Sequence, residues 1–109
     1  MDLDKNLTLR YSHTVHIITR KRLIEFAQKH PDARSPLNHW HTIVSKTDYA
    51  SFADLRTTFL SADQVGHYTV FNIGGNKYRL VVAIHYNRKK VYIRHVLTHA
   101  EYDRDKWRE

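Results

Sequence analysis

Between residues 78 and 86 every second position is apolar: Tyr78, Leu80, Val82, Ile84 and Tyr86. That period of two belongs to a strand with one face on a core and the other toward water. A second alternating run, Val91, Ile93 and Leu97 with His95 in the same parity, comes after a polar turn, Asn87-Arg88-Lys89-Lys90. Upstream, residues 68–73 lead into Gly74-Gly75, a dipeptide suited to the positive φ angles of tight hairpin turns and one that leaves Phe71 and Ile73 on the core side. Residues 68–98 therefore read as a three-stranded β-meander.

Folding the meander on paper sets Tyr86 opposite Val91, Ile84 by Ile93, Val82 by His95, Leu80 by Leu97 and Arg79 by Thr98. In this register Lys77, Arg79, Tyr92 and Arg94 face away from the core, and His95 faces it as a hydrogen-bonded structural histidine. Thr98, His99 and Tyr102 then lie beside the two arginines. Cations, an imidazole and a phenol gathered on one side are suited to work on a phosphodiester.

Ahead of the meander lies a helical half. Residues 15–19 look like a short strand, and Thr19 is placed to cap a helix through Lys29, with Leu23, Phe26, Ala27 and His30 as its stripe before Pro31. Ser35-Pro36 suggests a second start, serine as N-cap and proline at the first helical position, with Leu37, Trp40, His41 and Val44 at helical spacing. A weaker third helix covers residues 51–60, where Ser51 and Asp54 resemble a capping box. The order β-α-α-(α)-β-β-β predicts an α+β fold, with an N-terminal strand and two to three helices on a small antiparallel sheet. Residues 1–14 lack a clear period and are expected to form a flexible N-terminal extension to a single domain over residues 15–109.

Composition narrows the function classes. A chain of 109 residues with 41% apolar residues suffices for one core, and the absence of cysteine removes thiol chemistry and disulfides. The aliphatic run at residues 80–84 is far short of the roughly 20 residues of a membrane span, and Asp2 and Asp4 are unlike a signal peptide, so a cytoplasmic protein is expected. Eighteen Lys and Arg against eleven Asp and Glu leave a net charge of +7, which favours a polyanionic partner, most commonly nucleic acid. Nine histidines raise the question of metal. Neither His39 and His41 on a helix nor His95 and His99 along a strand have chelating spacing, so no metal and no cofactor are expected.

The segments FNIGGNKYRL and VYIRHVLTHAEYD, with HIITRKRL near the start and DLRTTF between, resemble the HigB toxins of bacterial type II toxin-antitoxin modules, within the RelE superfamily. The resemblance covers about residues 15–105. It implies a RelE-like α+β fold, an mRNA interferase that cuts messages on the translating ribosome, and a HigA-type antitoxin carrying a helix-turn-helix. Arg79 matches the strand arginine that contacts the scissile phosphate in RelE-type toxins, and His99 and Tyr102 match positions of a basic or imidazole group and a terminal tyrosine. Strand 68–73 departs from the pattern, with Val70 and Asn72 where RelE has lysines, which leaves Lys77 or His99 to compensate.

Metal-free RNA cleavage needs a base at the ribose 2′-hydroxyl, cations against the charge building on phosphorus, and an acid for the departing 5′-oxygen. The expected catalytic set is Arg79 and Arg94 on the phosphate, His99 in one proton transfer and Tyr102 in the other or in stacking. Lys77, Thr98 and the hairpin-tip residues Arg88, Lys89 and Lys90 are the expected RNA contacts, the tip toward ribosomal RNA. Two other classes fit less well: a ParE-like gyrase inhibitor, which needs no proton-transfer groups, and a non-catalytic RNA-binding module.

Overall fold

A computed structural model describes residues 15–108. The extension assigned to residues 1–14 lies outside the described residues. Strand β1 (His16–Ile18) leads into helix α1 (Lys21–Lys29), a 3-10 turn (Pro31–Ala33) and helix α2 (Arg34–Lys46). A short helix α3 (Phe52–Leu55) precedes strands β2 (Asp63–Val65), β3 (Tyr68–Ile73), β4 (Tyr78–His85) and β5 (Lys90–Thr98), and the chain ends in helix α4 (His99–Asp103) and a 3-10 turn (Lys106–Arg108). The five strands form one sheet in the order β1-β5-β4-β3-β2. The meander is antiparallel as expected, whereas β1 joins its edge parallel to β5, with Ile17 beside Val91.

The helices cover one face of the sheet. Leu23, Leu37, Trp40 and Val44 from the helices meet Phe71, Ile73, Tyr78, Leu80, Val82, Val91 and Ile93 from the strands. These are the alternating positions read from the sequence. Trp40 packs edge-on to Phe71 at 5.4 Å, and Phe59 meets the same ring at 4.9 Å. Burying a side chain such as Leu37 stabilises the fold by roughly 1.5–3 kcal/mol.

Helix starts differ from expectation at two places. Thr19 adopts φ 72°, a left-handed corner that turns the chain out of β1, and α1 begins with Arg20 at its N-cap and no side-chain cap. Helix α2 grows directly out of the 3-10 turn with Ala33 at its N-cap, so Ser35 and Pro36 sit inside the first turn. Proline is tolerated there because first-turn N–H groups have no helical partner. In α3 the cap is where the sequence placed it: the Asp54 N–H donates to Ser51 Oγ at 3.2 Å, although the helix is shorter than residues 51–60.

The register of β4 and β5 is the main correction. Ile84 pairs with Val91 and Val82 with Ile93, then the ladder slips by one residue between Val81 and Val82, so that Val81 faces His95 and Arg79 faces Leu97. Residues 86–89 make the turn, with Lys89 at φ 55°, which moves the pairing by two positions from the one expected. The bulge adds Arg94 to β5 and reverses the facing of the residues beyond it. Val96 joins the helical core, whereas Leu97 joins a second cluster on the opposite face with Val70, Val81, Tyr102 and Trp107. His95, paired with Val81, is on that opposite face and not in the core where its parity had placed it.

Candidate active site

Arg79 stands at the start of β4 on the face away from the helices, beside Asn72 of β3 and Leu97 of β5. It is only 9% exposed, and its guanidinium is held in place by oxygen acceptors. Nη1 donates to the carbonyls of Asn76 and Tyr78, both at 3.2 Å, and Nη2 donates to Asn76 Oδ1 at 2.8 Å. All three acceptors are neutral, so these bonds orient the cation without cancelling its charge. The Gly74-Gly75 turn, with φ of 63° and 69°, brings Asn76 back toward the strand it has just left.

Tyr102 lies over this cation, with Arg79 Cζ 5.5 Å from the ring centroid. The ring is also stacked on Trp107 at 5.0 Å, and Trp107 Nε1 donates to the Tyr102 carbonyl at 2.9 Å. Burial, followed by the charge of Asp63, pushes the phenol above its usual value of 10.0, outweighing the pull of Arg108 and Arg79. Tyr102 is therefore a protonated donor at neutral pH.

Helix α4 supplies the imidazole. Thr98 is its N-cap in a complete capping box: the Glu101 N–H donates to Thr98 Oγ1 at 3.2 Å and the Thr98 N–H donates to Glu101 Oε1 at 2.9 Å. The His99 N–H donates to the Lys77 carbonyl at 3.1 Å, tying the helix start to the hairpin that carries Arg79. His99 and Tyr102 are three apart and share a helix face. His99 Nδ1 lies 3.0 Å from Asp103 Oδ2, a contact that orients the ring with Nδ1 toward the carboxylate.

The other expected contacts are dispersed. Lys77 turns to the helical side, 3.0 Å from Asp32 Oδ2, where Tyr78 also donates to Asp32 Oδ1 at 2.6 Å. Arg94 is exposed at the bulge, three residues along β5 from Leu97 and hence roughly 10 Å up the strand. Arg88, Lys89 and Lys90 occupy the far end of the β4–β5 hairpin, and Lys89 reaches Asp48 at 3.1 Å. Sequence reasoning missed Asn76, Asp103 and Trp107. Asp103 carried a usable signal, four residues after His99 within a helical segment, whereas nothing in the sequence placed Trp107 beneath Tyr102.

Residues 33–105 match the model of the HigB_toxin family, described as the RelE-like toxic component of a toxin-antitoxin system. The mRNA interferase toxin HigB of Escherichia coli K12 is 37% identical over 93 residues, covering 82% of this chain and 88% of the relative. The mRNA interferase HigB of Shigella flexneri is also 37% identical, with the same coverage. The mRNA interferase HigB of Escherichia coli O6:H1 is 29% identical over 83% of this chain and 90% of its own length. With the α+β architecture and the match over most of the chain, this protein belongs to the HigB toxin family, the RelE-like toxic components of toxin-antitoxin systems.

Proposed function

We propose that this protein is an mRNA interferase, a metal-independent endoribonuclease that cuts messages on the ribosome in the cytoplasm and is held in check by a HigA-type helix-turn-helix antitoxin. The observation that carries the catalytic reading is the arrangement around Arg79: a desolvated guanidinium bonded to neutral acceptors, under Tyr102, next to a helix that presents the His99–Asp103 pair. His99 Nε2 takes the proton from the ribose 2′-hydroxyl as that oxygen attacks phosphorus. Arg79 stabilises the charge on the phosphorane oxygens, and the neutral Tyr102 phenol supplies a proton to the departing 5′-oxygen. The P–O5′ bond breaks, giving a 2′,3′-cyclic phosphate and a 5′-hydroxyl. Arg94, Lys77 and Thr98 remain in the proposal as outer contacts to the message, and Arg88, Lys89 and Lys90 as contacts to ribosomal RNA.

Few catalytic groups on a small open surface leave much of the positioning to be done elsewhere, and orientation alone can remove several kcal/mol from a barrier. The ribosome fills that role. A translation reaction followed by primer extension tests the reading: the protein should cut translated message and leave free RNA largely intact, with chelator present, and Arg79→Ala should abolish the cuts. Growth arrest without any message cleavage would point instead to a gyrase-directed relative.

A further inference from the structure

The strand pairings line up a row of residues on the face away from the helices. Ile18 of β1 lies beside Tyr92 of β5, and Tyr92 beside Ala83 of β4. Because Thr69 pairs with Val82, Tyr68 of β3 comes next to Ala83. The chain neighbours of this row, Ile17, Val91 and Val82, belong to the helical core, so the row itself faces outward, and Tyr68, Ala83 and Tyr92 are half-buried. Aromatic contacts extend it at both ends. The His85 ring meets Tyr92 at 5.2 Å and 80°, and Tyr68 meets Trp107 at 6.0 Å. Ala83 between the two tyrosines keeps the surface low.

Basic groups flank the row. On the hairpin side the pairings set His16, Lys90 and His85 side by side across three strands, and exposed Arg94 stands on the other side. Ala83 is four residues along β4 from Arg79, about 13 Å at the rise of a strand. An outward strip of aromatic rings at that distance from a phosphate-binding cation, edged by positive charge, has the properties of a single-strand platform, since every base offers a π-face and its backbone brings negative charge.

We propose that the row of Tyr68, Ala83 and Tyr92, with His85, is a binding site for unpaired RNA bases, lying a few nucleotides from the bond cut at Arg79. It rests on the interferase reading for its place relative to the scissile bond. The bases are those of the message, which runs on from the scissile bond across the row.

Two measurements test it. In the full chain carrying Arg79→Ala, so that nothing is cut, binding of a fluorescent oligouridylate is followed by polarisation. Tyr92→Leu should weaken binding about tenfold, while Tyr92→Phe, which keeps the ring, should bind like the parent. Ultraviolet crosslinking on programmed ribosomes then identifies the base at Tyr92, where a message base supports the site and a ribosomal base overturns it. Unchanged binding by Tyr92→Leu overturns the proposal, as does equal loss in Tyr92→Leu and Tyr92→Phe at unaltered melting temperature. So does a crosslink to a protein partner in place of RNA. If the unmodified protein cuts no message yet oligouridylate binding keeps the expected order, the interferase reading fails and the RNA site stands.

Discussion

Arg79 combines burial with a positive charge that its own hydrogen bonds leave available, and that is the condition under which a cation acts most strongly on a developing anion. Arg79→Ala or His99→Ala should each lower message cleavage by about a hundredfold or more, read by primer extension on variants with unchanged melting temperature. Arg79→Lys should not restore it, because an ammonium lacks the planar fork that bonds Asn76 and the Tyr78 carbonyl together. His95 makes a separate, pH-dependent contribution. Burial first, then the charges of Arg22 and Arg94, lower its pKa from 6.5, while a hydrogen bond to the Trp107 backbone opposes the shift. His41 is lowered too, by burial and then by Arg20. A folded-state pKa below the unfolded one means that the unfolded chain takes up the proton first, so this part of the stability is complete above about 6.5 and is lost as pH falls through the folded values. Urea midpoints should therefore drop as pH falls below about 6.5, and His95→Gln should flatten that slope.

Helix α4 is five residues long, too short to persist on its own helical propensity, and it is held by its ends. The Thr98–Glu101 box, the His99 bond to the Lys77 carbonyl and the Trp107 stack on Tyr102 together hold the helix that carries His99 and Tyr102 against β4. Thr98→Ala should cost about 1 kcal/mol of stability by urea denaturation. Its effect on cleavage should be larger than that loss accounts for, since His99 and Tyr102 both ride on this helix, and Thr98→Ser should recover most of both. Equal stability loss with full cleavage would show that α4 does not need its cap to present the site.

Across the whole molecule the helical and open faces do different jobs. The helical face carries the larger core, and the open face carries Arg79, the C-terminal cover and the aromatic row. No helix among the described residues is long and apolar enough to cross a membrane. With a net charge of +7, association with ribosomes should weaken steeply as salt rises, and co-sedimentation at increasing potassium chloride measures it. Charge reversal at the hairpin tip, Arg88→Glu, should reduce the salt slope without altering the cleavage products. A flat salt response would remove the electrostatic account of ribosome binding.

Local chemistry alone determined much of this protein. The family resemblance of the YRL and THAEYD segments singled out Arg79, His99 and Tyr102, whereas alternation over residues 78–86 oriented β4, Gly74-Gly75 placed a turn of positive φ, and Ser51 capped α3. These are properties of a few adjacent residues, and adjacent residues suffice to express them. The bulge at Val81/Val82 was decided elsewhere. No residue on β5 announces the slip that turns His95 outward and brings Leu97 opposite Arg79. Lys77 was likewise placed by a carboxylate 45 positions away, Asp32, and the burial that raises the Tyr102 phenol comes from Trp107 and the sheet beneath it. A strand's period tells which residues share a face, but only the packed neighbours decide where that period breaks and which charges meet across the break.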